Sequence, residues 1–240
     1  MLQAAINGAR GPAEHVALPL TPAAQARAAV DCRRAGAVSV HAHVRDGGGR
    51  ETLAAAAVDE LLQALRSAAP GLPVGLSTGA WIVPDPAARL AQIRAWRERP
   101  DFASVNFHEP GAADVADALL AMGVGVEAGL ISATAAKTLL ASGVASRCLR
   151  ILLEPQDEGL PDALATAGAI ERVIDQARLA VPRLLHGTND TTWPLVAEAG
   201  KRGYQSRIGL EDTLLLPDGR IVPDNAALVT AARLLTAKRV

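Results

Sequence analysis

The 240-residue chain is half hydrophobic and carries 24 basic against 25 acidic side chains, a formal net charge of −1. That balance gives no field for nucleic acid or an anionic membrane, and three Trp, two Phe and one Tyr make no stacking platform for single strands. No run approaches the roughly 18 apolar residues of a membrane span, and the start, Met1-Leu2-Gln3-Ala4-Ala5-Ile6, lacks the basic n-region of a signal peptide, so a cytoplasmic protein is expected.

Short apolar runs alternate with Ala/Leu-rich helical stretches throughout. In chain order the pattern predicts strand 2–6 and helix 22–35, strand 37–43 and helix 53–68, strand 73–77 and helix 86–97, and strand 102–107 and helix 112–121. It continues with strand 123–127 and helix 133–142, strand 147–153 and helix 161–180, strand 182–186 and helix 192–201, and strand 204–208 and helix 225–237. Thr21-Pro22 and Asp85-Pro86 each read as an N-cap followed by proline at the first helical position. Gly36, Gly123 and Gly203 stand where C-cap glycines belong. Cys32 and Cys148 are isolated and read as buried small hydrophobes rather than a disulfide.

Eight strand–helix alternations predict a (β/α)8 TIM barrel, one domain over residues 1–240. The rival is a doubly wound sheet, but Asn7-Gly8-Ala9-Arg10 after the first strand is not its G-x-G-x-x-G fingerprint.

In a barrel, functional residues gather where the strands end. Those ends carry Asn7 and Arg10; His41, His43 and Arg45; Ser77-Thr78-Gly79; Asn106, His108 and Glu109; Glu127; Glu154; His186 to Asp190; and Arg207 with Glu211-Asp212. His41 and His43 are two apart on a strand, so both imidazoles point to one face. They read as half of a zinc site or as a hydrogen-bonded pair at a strand end. Glu211 or Asp212 can complete a three-ligand site, leaving the other carboxylate as a base, with Arg207 holding a carboxylate or an anionic substrate. His108 and His186 read as further ligands, acid–base groups or satisfied loop histidines. Ser77 lacks a G-x-S-x-G elbow, which disfavours a serine hydrolase. Trp81 and Trp193 wall the pocket or pack helices.

These landmarks match a known family. Asn7-Gly8-Ala9, Leu18-Pro19-Leu20-Thr21-Pro22, His41-Ala42-His43-Val44-Arg45-Asp46, Ser77-Thr78-Gly79, Ser104-Val105-Asn106, Glu127 and Arg207-Ile208-Gly209-Leu210-Glu211-Asp212 span most of the chain in the family's order. The chain resembles the β-keto acid cleavage enzymes, the group that includes 3-keto-5-aminohexanoate cleavage enzyme. The resemblance implies a (β/α)8 barrel binding a divalent metal, usually Zn2+, through His41, His43 and Glu211. It implies Asp212 as general base, with Arg207 and Ser77 in its hydrogen-bonding network. Glu127 matches an acid that either faces the substrate or supports the residues that do, and Asn106 a substrate-lining position; Asn7, Thr78 and Arg10 are expected to line the substrate as well. The implied reaction takes a β-keto acid and acetyl-CoA to acetoacetate and a new acyl-CoA through a metal-held enolate. Such barrels are usually homo-oligomers.

Two departures stand out. The chain is shorter than typical members, so trimmed mouth loops are expected. Where the best-known member places an acid near the end of strand 1 for a substrate ammonium, this chain has Arg10, which favours a plain or carboxylated keto acid unless it pairs with Glu14 or another loop carboxylate instead. The alternatives are a zinc-dependent aldolase or lyase that uses no CoA, and a non-catalytic metal- or ligand-binding barrel.

Overall fold

A computed structural model describes residues 1–237. Eight strands alternate with eight helices: β1 (Leu2–Ala5), α1 (Pro22–Ala35), β2 (Ser39–Ala42), α2 (Ala55–Ala68), β3 (Val74–Ser77), α3 (Pro86–Arg94), β4 (Phe102–Asn106) and α4 (Ala112–Ala121). The second half is β5 (Gly125–Leu130), α5 (Ala133–Ala141), β6 (Arg150–Leu153), α6 (Leu160–Gln176), β7 (Arg183–Leu185), α7 (Thr192–Lys201), β8 (Ser206–Ile208) and α8 (Asn225–Ala237). All named strand pairs are parallel and follow sequence order from β1 to β7, with β8 beside β1. The ring is nearly closed. Between β7 and β8 the backbone pairing among the described residues is a single bridge of Leu184 with Gln205, in which the Leu185 amide donates to the Gln205 carbonyl and the Gln205 amide to the Arg183 carbonyl, each at 3.0 Å, and Ser206 Oγ adds a bond to the Leu185 carbonyl at 2.8 Å. The chain is a (β/α)8 TIM barrel.

The local signals act as read. Thr21 Oγ1 accepts from the Ala24 amide at 3.2 Å and Asp85 Oδ1 from Ala88 at 2.7 Å, each satisfying an amide the helix leaves free. Gly36 closes α1 with φ of 105°, a left-handed conformation that side chains resist. Cys32 and Cys148 are free and buried.

Four boundaries differ by three residues or more. Strand 5 is displaced from 123–127 to Gly125–Leu130: Gly123 turns the chain with φ of 78°, and Ala128, Gly129 and Leu130 continue the pairing with β6. Strand 6 starts at Arg150, because Ala145–Arg147 forms a turn of 3₁₀ helix. Helix α6 stops at Gln176 and α3 at Arg94 rather than at 180 and 97.

Alternation along the strands sorts side chains between cavity and helices. On β4, Ser104 and Asn106 face the cavity, whereas Ala103 and Val105 join the apolar layer under the helices. Where β8 leaves the barrel, backbone meets backbone. A Cβ at Gly209 would lie 1.7 Å from the Ala5 carbonyl oxygen, which accepts the Glu211 amide at 3.2 Å. Gly209→Ala is therefore expected to destabilise by about 1–3 kcal/mol or more, lowering Tm by about 2–4 °C per kcal/mol. A wild-type melting curve would refute this tight contact.

Candidate active site

One cavity of about 580 Å³ opens inside the strand ends, lined by His41, His43, Ser77, Asn106, Glu154, His186, Arg207 and Glu211 among others. Strand alternation aims His41 and His43 inward from β2, their rings 5.3 Å apart and edge to face. Asn7 holds the end of that strand: the His43 amide donates to Asn7 Oδ1 at 2.8 Å, and Asn7 Nδ2 donates back to the His43 carbonyl at 2.9 Å. Glu211 reaches over from the turn after β8. Its Oε2 stands 3.8 Å from His41 Nε2 and 3.6 Å from His43 Nε2. One ligand atom from each of the three residues fits within 4.8 Å of the others. Glu211 Oε2 is a buried acceptor with no hydrogen-bond donor. Two imidazole nitrogens and a carboxylate oxygen converging at these separations fit a divalent cation of the zinc class.

Charge in the cluster is strongly organised. Burial presses the His41 imidazole down to about 3, so it stays neutral. For His43, burial is outweighed by Glu211 and Glu51, which carry it up to about 9. Glu211 is held well below the carboxylate range, against burial, by Arg207 and then the two histidines.

Arg207 binds both acids of the turn. Its Nη2 donates to Glu211 Oε1 and Asp212 Oδ1, each at 2.8 Å, and its Nε donates to Asp212 Oδ1 at 3.1 Å. Asp212 is fully buried and does not itself line the cavity; its Oδ2 has no partner. Burial raises its pKa against the pull of Arg207, which makes the carboxylate more basic.

A family model described as BKACE, beta-keto acid cleavage enzyme, matches residues 1–239. The chain belongs to the beta-keto acid cleavage enzyme family. Among solved structures, a binary complex of ObcA with oxaloacetate is 19% identical with a TM-score of 0.73, covering 92% of this chain and 64% of that one. A ternary complex of ObcA with a C4-CoA adduct and oxalate is 20% identical at a TM-score of 0.74, with the same coverage. The 3-dehydroquinate dehydratase from Geobacillus kaustophilus HTA426 is 12% identical at 0.65, covering 99% and 90%. At these identities the likeness is one of fold, and this BKACE chain spans 64% of the ObcA chain's length.

Several residues picked from the sequence stand elsewhere than expected in this BKACE site. Glu127 is not at the mouth. It is the third residue of β5, fully buried, where Gln3 Nε2 donates to its Oε1 at 2.8 Å and Arg150 Nε stands at 3.0 Å. Burial raises its pKa against Arg150. It is paired inside the barrel, the placement of a supporting acid and not of one that faces the cavity. Thr78 spends its hydroxyl on the Ser104 carbonyl at 2.6 Å, and Asn7 braces β2; neither lines the cavity. Arg10 does line it, but its nitrogens are committed to Glu14 at 2.8 Å, the Leu210 carbonyl at 2.6 Å and Asn189 Oδ1 at 3.2 Å. Its charge is spent on bracing the loops, so the geometry does not favour the expected reading of substrate charge.

Glu51 escaped the sequence reading. A hairpin turn brings it beside Arg45, so that its Oε1 meets His43 Nδ1 at 2.5 Å. Trp81 Nε1 donates to its other oxygen at 3.0 Å while the indole stacks 6.1 Å from the His43 ring. The signal was Asp46-Gly47-Gly48-Gly49-Arg50, a turn able to fold the following acid back on the second histidine.

Proposed function

We propose that this protein condenses a β-keto acid with acetyl-CoA to give acetoacetate and a new acyl-CoA. The observation that carries the reading is the convergence of His41, His43 and the orphaned Glu211 Oε2 beside an Arg207-held Asp212, within a chain of the BKACE family. The ObcA complexes with oxaloacetate, itself a β-keto acid, and with a CoA adduct support the substrate pair.

A zinc-class ion held by His41, His43 and Glu211 would act as a Lewis acid on the keto acid's carbonyl. Asp212 is the base for the proton on the carbon between carbonyl and carboxylate, through the Oδ2 that Arg207 leaves free; because Asp212 is covered, this requires the turn after β8 to shift and bring that oxygen to the cavity. That carbon forms a bond to the acetyl carbonyl and CoA thiolate leaves. The thiolate then adds to the original keto carbon, the carbon–carbon bond breaks, and the departing carbon takes back the proton held by Asp212, which releases acetoacetate and leaves the new acyl-CoA. Arg207, buried and held charged by Asp212 and Glu211, supplies fixed positive charge near the developing oxyanions. Ser77 offers a hydroxyl at the cavity wall.

Mass spectrometry of products from a panel of β-keto acids with acetyl-CoA tests this. Matched formation of acetoacetate and a new acyl-CoA is expected. Cleavage without acetyl-CoA consumption would instead indicate an aldolase or lyase.

Glu51 fixes His43 with Nδ1 engaged and Nε2 turned to Glu211. Such partners of a ligand histidine are typically worth 10–100-fold in metal affinity. Glu51→Gln is expected to show a loss of about that size in competition against a chelator. An unchanged competition curve would remove Glu51 from this role.

A further inference from the structure

The cavity wall away from the His41–His43–Glu211 cluster carries a second arrangement of polar atoms. The cluster flanks β1, coming from β2 and the turn after β8. Asn106 ends β4 and Glu154 follows β6, so this pair flanks β5, on the other side of the ring. Between them β5 presents Gly129. A Cβ there would lie 2.4 Å from Glu154 Oε1 and 2.6 Å from Asn106 Oδ1, so both oxygens converge over bare backbone.

The Asn106 amide has a fixed sense. Its Nδ2 donates to Glu109 Oε1 at 2.9 Å, and Glu109 is held in turn by the Ala80 amide and by buried Arg89, each at 2.9 Å on Oε2. A carboxylate only accepts, so the amide nitrogen faces Glu109 and Oδ1 is left as an acceptor. Among the described residues no donor is paired with Asn106 Oδ1 or Glu154 Oε1, and the only ion-pair partner of Glu154 is His186, at 3.4 Å. His186 lines the same cavity at 1% exposure; neither ring nitrogen makes a hydrogen bond, Nε2 facing Glu154 Oε2 at 3.4 Å and Nδ1 facing Asp212 Oδ1 at 3.7 Å.

Two convergent acceptors, one a carboxylate, recognise a donor and repel an anion. We propose that Asn106, Glu154 and His186 form a specificity subsite for a hydroxyl or ammonium on the far side chain of the keto acid. The inference rests on the keto-acid reading above. It reverses the preference expected from Arg10, whose charge is already matched by Glu14.

The test is titration calorimetry of the metal-loaded protein without CoA. The ligands are four β-keto acids of equal length whose far ends carry methyl, hydroxyl, ammonium or carboxylate. Hydrogen bonds to a charged group are worth about 1.5–3 kcal/mol, so the hydroxyl and ammonium ligands are expected to bind about 10- to 100-fold tighter than the methyl one. The carboxylate ligand is expected to bind weakest. Glu154→Gln keeps the shape; it is expected to cost the ammonium ligand more than the hydroxyl one and to relieve the carboxylate ligand. Gly129→Ala, which fills the space under both oxygens, is expected to erase the donor preference while Glu154 keeps its charge. Melting curves and metal content establish that both variants are folded and loaded.

Tightest binding of the carboxylate ligand by the wild type overturns the proposal. So does an order unchanged by Glu154→Gln. A parallel titration with CoA separates the sources of the donor: loss of CoA affinity in Glu154→Gln with the keto-acid order intact would assign the subsite to pantetheine amides and overturn the substrate reading. Absence of turnover with acetyl-CoA, with the predicted order of binding, would sink the reaction proposed above and leave the subsite standing.

Discussion

Asp212→Asn is expected to keep its metal and lose about 10²–10⁴ in kcat. The substitution preserves shape, and its oxygen can still accept from Arg207, which stays anchored by Glu211. What disappears is the unpartnered basic oxygen that burial makes more basic than an ordinary aspartate. Metal content and Tm report whether the turn after β8 is intact. Near-normal turnover would require another base, with Glu127 next in line: it too is covered, has an unpartnered oxygen and is made more basic by burial.

The double variant His41→Ala with His43→Ala is expected to fall from one divalent ion per chain to background, with turnover lost. A single carboxylate remains, and Arg207 already holds one of its oxygens at 2.8 Å. Zinc-class sites draw their affinity from three or four ligands acting together. Elemental analysis after dialysis reads the outcome directly. Full retention of metal would reject these ligands, and retention in only one of the two single variants would show which histidine dominates.

The barrel was legible because strand and helix differ in the period and length of their apolar runs, and caps such as Thr21 and Asp85 act locally. The core of the site was legible for a related reason. His41 and His43 sit on one strand and Arg207, Glu211 and Asp212 in one short turn, so only the meeting of two segments had to be supplied by the fold. Gly129 shows where local reading fails. It looks like a strand breaker, yet it lies inside β5 because two side-chain oxygens from neighbouring strands occupy the space a Cβ would take. Ending the strand at Glu127 placed that acid at the mouth, whereas the three residues that follow it in β5 leave it inside the barrel. Arg10 fails differently. Its pairing with Glu14, four residues on, is the alternative the sequence offered, while its other partners Asn189 and Leu210 lie some 180 to 200 residues away.

The weak seam between β7 and β8 divides the barrel's slow breathing unevenly. Strands β1 to β7 form a continuous ladder, whereas β8 hangs mainly from β1. Local opening begins where hydrogen bonds are fewest. Two members of the cluster, His41 and His43, therefore ride on the well-laddered arc, and Glu211 rides on the arc beside the seam. An ion bound by all three would fasten the last strand to the second across the first. Loading would then protect backbone amides of β8 from hydrogen exchange, although none of those amides touches the ion.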